Sequence, residues 1–123
     1  MKVLITGCKG QLGLELSRQL KQNSRKYEVI ETDIHNLDIR DQAAVFKAIS
    51  DSRPDMIINC AAYTDVDGCE VDETGAFRVN AIGAQNLAVG SSRIGAGIVQ
   101  VSTDYVFDGT ECTPRREYDS VNP

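Results

Sequence analysis

The first thirteen residues, Met1–Gly13, read MKVLITGCKGQLG. Val3, Leu4 and Ile5 form a short apolar run, as expected of a strand buried on both faces. Gly7, Gly10 and Gly13 follow at the spacing G-x-x-G-x-x-G. Leu12, Leu16 and Leu20 then recur four apart, which predicts one face of a helix. The glycines therefore sit at a strand-to-helix turn. Amides at a helix N-terminus point outward without an intrahelical partner, and the helix dipole favours an anion there. Gly7 permits a sharp turn, Gly10 a close approach of backbone to a pyrophosphate, and Gly13 close packing of helix on strand. Three glycines in seven residues also make an ordinary turn. The strand before, the helix after and an acidic residue at the next strand end favour the phosphate reading. A Walker-type loop needs Gly-Lys followed by Ser or Thr, and Lys9-Gly10 has the opposite order.

The 123 residues suit a single domain, 1–123, and 41% hydrophobic with 25% charged residues is ordinary for a globular chain. No apolar run approaches a membrane span, and Met1 leads directly into the strand without a signal-peptide pattern. A net charge of −5, with Arg115-Arg116 as the one basic cluster, argues against nucleic acid as partner. Cys8, Cys60, Cys69 and Cys112 form no C-x-x-C and have only His35 to join them, so no metal site is expected. Reduced thiols in a cytoplasm are the expectation.

Along the chain, Tyr27–Thr32 reads as a second strand ending at Asp33. Asp33 follows Gly13 at about the distance of the acidic residue that accepts hydrogen bonds from ribose hydroxyls. A carboxylate there repels a 2′-phosphate and leans towards NADH; an Asp capping a turn is the plainer reading. Leu37-Asp38-Ile39 lies in the following loop, where Asp38 or Asp41 is also a suitable cap for a helix over 42–52. Asp55–Cys60 is the third strand, and Ala61-Ala62-Tyr63-Thr64-Asp65 follows it. Val71 to about Gly95 reads as one long helix whose apolar stripe is interrupted by Asn80 and Asn86. Asn80 is expected to be buried and hydrogen-bonded. Gly97–Val101 is the fourth strand, ending in Ser102-Thr103-Asp104-Tyr105, a hydroxyl pair and a carboxylate at a strand terminus. Residues 111–123 show no element.

Alternating strands and helices with right-handed crossovers predict an α/β, Rossmann-like parallel sheet with helices on both faces. The expected strand order is 3-2-1-4, truncated, with the ligand at the switch point between strands 1 and 4.

Four stretches together resemble the extended short-chain dehydrogenase/reductases. They are Thr6-Gly7-x-x-Gly10-x-x-Gly13, Asn59-Cys60-Ala61-Ala62-Tyr63-Thr64, Val79-Asn80-Ala81-x-Gly83 and Ser102–Gly109, STDYVFDG. Gly10–Gly13, GQLG, and STDYVFDG resemble the dTDP-4-dehydrorhamnose reductase branch. The resemblance implies reduction of a dTDP-sugar, dTDP-4-dehydro-L-rhamnose, by NADPH or NADH. It places Gly10, Gln11 and Leu12 on the pyrophosphate, Asp33 on the adenosine ribose, and Asp38 and Ile39 on the adenine. Ala62, Tyr63 and Thr64 would line the rest of the cofactor. Thr103 would donate to the substrate carbonyl oxygen, and Asp104 would contact the substrate. It also admits a homodimer, with Mg2+ at the dimer contact through Glu15. Gly68-Cys69-Glu70 stands where that branch commonly has Lys-Ala-Glu.

The Tyr-x-x-x-Lys pair of the family is absent: Tyr105 is followed four residues on by Gly109, and Tyr118 by Asn122. The expectation is an N-terminal piece of a longer enzyme that binds dinucleotide weakly and is inactive alone, with self-association through an exposed strand 4. Two alternatives stand beside it. One is a non-catalytic NADP-binding subunit, as in the β-subunit of methionine adenosyltransferase. The other is a nucleotide-sugar epimerase or dehydratase.

Overall fold

The computed structural model describes residues 1–110 and 112–122; Glu111 and Pro123, the ends of the expected polar tail, lie outside them. β1 (Lys2–Thr6) runs KVLIT, with Val3 through Thr6 buried, and forms the centre of the sheet. α1 (Gln11–Gln22) leads to β2 (Glu28–Glu31), and α2 (Gln42–Ser52) to β3 (Met56–Asn59). α3 (Val66–Val71), α4 (Glu73–Phe77), a π-helical segment (Arg78–Gly83) and α5 (Ala84–Ile94) lead to β4 (Gly97–Gln100). A 3-10 turn over Asp104–Val106 follows.

All strands are parallel, and their lateral order is β2-β1-β3-β4 rather than 3-2-1-4. The third strand crosses back over β1 instead of adding outside β2. The chemistry of the edges explains this. β2 is EVIE, with Glu28 and Glu31 exposed and paired to Lys2 and Lys21, which is edge-strand composition. β3 carries Ile57 and Asn59 fully buried and needs a central seat. It takes the free side of β1 in the register Val3↔Met56 to Thr6↔Asn59. The switch point accordingly lies between β1 and β3, where the chain turns first one way and then the other.

Right-handed crossovers put α1 on one face and α2 and α5 together on the other. Leu4, Ile57, Leu37, Ile39, Val45, Ile49 and Leu87 form the core. α1 turns Gly13 and Ser17 to the sheet, whereas Leu12 is 51% exposed, so the Leu12–Leu16–Leu20 row is only partly the buried face. The long helix expected over 71–95 runs from Glu73 to Ile94 as α4, the π-helical segment and α5, and it starts after Asp72. This residue ends α3, and its carboxylate caps α4 by accepting from the Gly75 amide at 2.9 Å. Asp65 caps α3 and Asp41 caps α2 in the same manner, from Gly68 and Ala44. Asn80 is exposed rather than buried. β4 is a sheet edge with Ile98, Val99 and Val101 substantially exposed.

Candidate functional site

The chain leaves β1 at Gly7, whose φ of +64° lies in the left-handed region. A Cβ there would stand 2.7 Å from the Ala61 amide nitrogen, so the glycine loop lies directly against the chain leaving β3. The Gly10 amide donates to the Gly7 carbonyl at 3.0 Å, and the Leu14 amide donates to the Gly10 carbonyl at 2.9 Å. The turn therefore consumes the Gly10 amide. The outward amides are those of the first helical residues, Gln11 and Leu12, as helix geometry dictates. A Cβ at Gly13 would collide with the Gly7 carbonyl oxygen, so helix and loop close on each other only because residue 13 is glycine. An added Cβ at Gly10 would meet only the Gly7 carbonyl oxygen, at 3.4 Å, an ordinary contact.

The adenosine end expected from the sequence is built by β2 and the loop after it. Cys8 donates its amide to Thr32 at 3.0 Å, tying the glycine loop to the end of β2. Asn36 accepts from the Asp33 amide at 2.7 Å, and the Asp33 carbonyl accepts from Asn36 and Leu37. The backbone of Asp33 is thereby fixed, and its carboxylate faces Lys9 at 3.9 Å. Asp38 is different. Arg40 donates to it from Nε and from Nη2, the latter at 2.7 Å, and from its amide. Those bonds hold the Asp38 carboxyl below its usual range despite partial burial. Ile39 is only 5% exposed and packs into the core against Gly83, while Asn86 donates to its carbonyl at 2.9 Å.

The opposite wall hangs on two asparagines. Buried Asn59 accepts from the Thr6 hydroxyl and from the Ala61 amide, and donates to Gln100 at 2.7 Å, joining β1, β3 and β4 at their carboxyl ends. Asn80 meets Tyr63 through both of its amide groups, accepting from the Tyr63 nitrogen at 2.8 Å and donating to its carbonyl at 3.0 Å. It does so from the π-helical segment, a rare conformation that recurs at functional sites.

Between these walls lies a cleft of about 420 Å³ at the carboxyl ends of β1, β2 and β3. Of the residues assigned to a cofactor from the sequence, Gly7, Gly10, Asp33, Asp38, Ile39, Ala62 and Tyr63 line it. Gln11, Leu12, Gly13 and Thr64 do not. Ile34, Leu37, Arg40, Cys60, Ala61 and Val79 complete the lining; Leu37, Cys60, Ala61 and Val79 lie in stretches quoted from the sequence without a site role, and Ile34 and Arg40 drew no notice there. Burial raises the thiol pKa of Cys60; burial first, then Glu31 and Asp33, raises that of Cys8. Thr103 and Asp104 lie on the same rim, beyond β3, and stay outside the cleft. Both are exposed, with Thr103 accepting from the Tyr105 amide at 3.2 Å. Glu15 faces solvent on α1, bonded to Arg18 and Gln19, which hold its pKa at about 2. Among the described residues no group of three metal-ligating side chains assembles, and no helix is long and apolar enough to cross a membrane.

Comparison with known proteins agrees with this geometry. Residues 1–123 match the family model described as the RmlD substrate binding domain. The spore coat polysaccharide biosynthesis protein SpsK of Bacillus subtilis is 48% identical over 122 residues, covering 99% of this chain and 42% of that protein. The crystal structure of a dTDP-4-dehydrorhamnose reductase from Clostridium acetobutylicum superposes with a TM-score of 0.94 at 51% identity, over 100% of this chain and 43% of that one. The dTDP-4-dehydrorhamnose reductase from Bacillus anthracis, solved in complex with NADP, gives 0.95 at 42% identity, over 99% and 43%. The chain thus spans about two fifths of the length of these relatives.

Proposed function

The chain belongs to the family of the RmlD substrate binding domain, and from that membership we propose that its cleft holds NADPH or NADH for the reduction of dTDP-4-dehydro-L-rhamnose. The observation that carries the reading is the seating of Gly7 against Ala61, which opens a cleft across the β1–β3 switch point. The residues fit a dinucleotide. The Gln11 and Leu12 amides and the N-terminus of α1 suit a pyrophosphate. Asp33, fixed through its backbone, has a carboxylate available to ribose hydroxyls. Leu37, Ile39 and Val79 give that end an apolar wall for a base. Bound there, the nicotinamide supplies a hydride to a sugar carbonyl. Asn80 holds Tyr63 in the wall, and Asn59 holds the strand ends that frame it. Thr103, on the β4 rim, would present its hydroxyl to the substrate oxygen, with Asp104 beside it. Residues 1–123 contain no Tyr-x-x-x-Lys pair to protonate the alkoxide, so this chain alone binds and does not turn over. A cytoplasmic setting suits four free thiols and a nucleotide-sugar substrate. Self-association through the β4 edge completes the reading.

The test is calorimetric titration of the 123-residue chain with NADH and NADPH, beside a reductase assay. We expect binding of at least one nucleotide, abolished by Gly10→Val, and no turnover. Absence of binding, or binding that ignores Gly10→Val, overturns the reading.

A further inference from the structure

Among the described residues that line the cleft, Tyr63 is the one aromatic side chain. Its backbone is pinned. Asn80 accepts from its amide and donates to its carbonyl, and the Cys69 thiol donates to that same carbonyl at 3.7 Å. With the backbone held, the ring moves only about its side-chain torsions. Its tip ends on α3. A Cβ placed on Gly68 would stand 2.8 Å from the Tyr63 hydroxyl oxygen and 2.6 Å from Asp65 Oδ2, both inside van der Waals contact. Gly68 has no positive φ, so its backbone conformation does not call for glycine. By helix propensity alone, alanine would serve α3 better. What the glycine supplies is room, for the capping carboxylate of Asp65 and for the Tyr63 hydroxyl. α3 contributes no residue to the cleft lining, so it backs the ring from outside.

We infer that Gly68 is a positioning residue that sets the width of the cleft, by seating the Tyr63 hydroxyl on α3 and so keeping the ring in the wall. The inference rests on the dinucleotide reading of the cleft. A side chain at position 68 enters from the α3 side and displaces the ring towards the cleft, into space that a cofactor would take. Two residues outside the lining thus place the aromatic wall: Asn80 holds its backbone and Gly68 receives its tip.

The experiment is calorimetric titration of the 123-residue chain with NADH and NADPH, for the parent, Gly68→Ala, Tyr63→Phe and the double variant. Phenylalanine lacks the one ring atom that the new methyl group would meet. Gly68→Ala should weaken binding about tenfold in the parent but less than about twofold in the Tyr63→Phe background, a coupling of the size that residues in contact show. Disturbance of the Asp65 cap is common to both backgrounds and cancels in the comparison. A second readout needs no nucleotide. The NMR signal of the Tyr63 ring, identified in tyrosine-labelled chain by its loss in Tyr63→Phe, should shift in Gly68→Ala. Equal losses of affinity in the two backgrounds, or no loss in either, overturn the inference and leave the cleft reading standing. A Tyr63 signal that Gly68→Ala leaves in place overturns it as well. Failure of the parent chain to bind either nucleotide overturns the cleft reading, and this inference with it.

Discussion

Individual residues in the glycine loop have separable duties. Gly7 and Gly13 are required by space: a methyl group at either meets backbone, and Gly7 also needs a positive φ. Gly7→Ala should cost about 1–3 kcal/mol of stability, a drop in thermal midpoint of at least about 5 °C. Gly10→Ala, whose added methyl meets only the Gly7 carbonyl oxygen at 3.4 Å, should leave the midpoint within about 2 °C, since exposed substitutions without packing consequences are small. Asn59 is a second such residue. It is 1% exposed and bonded to Thr6, Ala61 and Gln100, so Asn59→Ala leaves several polar groups short of partners. We expect a loss of roughly 2–3 kcal/mol in urea unfolding. Asp38 gives a pH signature. Its carboxyl pKa is lowered in the folded chain, so its contribution is full above the unfolded value of about 4 and fades as pH falls through the lower folded value. The stability gap between the parent chain and Asp38→Asn should be present at pH 7 and shrink steadily below pH 4, as read by urea unfolding across pH. At this scale the sequence was informative where chemistry is local. The spacing from Gly13 picked out Asp33, which lines the cleft. Asn80 gave no sign of its partner, because Tyr63 is 17 positions away on another element.

Elements were legible in type more than in arrangement. The apolar runs KVLIT and DMIINC and the cap Asp41 mark strands and a helix start through local preferences, whereas the caps Asp65 and Asp72 were not read from the sequence. Lateral strand order is another matter, because it depends on which edge can receive a strand buried on both faces. The acidic residues of β2 held that answer, but only once β1 was known to be the neighbour of both. The helix expected over 71–95 starts at Glu73 because Asp72 caps it, and its π-helical segment, which the stripe did not reveal, shifts the phase that brings Asn80 round to Tyr63. That segment and the loop it holds should behave as one unit. Asn80→Leu removes both bonds to Tyr63, and the Tyr63 amide should then exchange with solvent at least about tenfold faster than in the parent chain. Exchange at Ile57 and Ile58, inside β3, should not change. Faster exchange across all of β3 would show that Asn80 supports the sheet rather than the loop.

The two edges of the sheet differ in chemistry. β2 closes its edge with charge, through Glu28–Lys2 and Glu31–Lys21. β4 offers Ile98, Val99 and Val101, each more than a third exposed, along an edge with no inward charge. The 123-residue chain should therefore show concentration-dependent growth in mass by light scattering. Val99→Lys should suppress this without lowering the thermal midpoint by more than about 2 °C. A concentration-independent monomer mass for the parent chain would count against the edge as an association site. The central place of β1 also bears on how the molecule is made. Translation proceeds from the N-terminus at roughly 5–20 residues per second, so KVLIT is made before the three strands it shares the sheet with. Its partners come much later: Lys2 pairs with Glu28, and Val3 with Met56. For a period on the order of seconds the nascent chain carries an apolar strand with both edges open and only α1 nearby to shelter it. The segment most deeply protected in the finished fold is the one exposed longest at the ribosome.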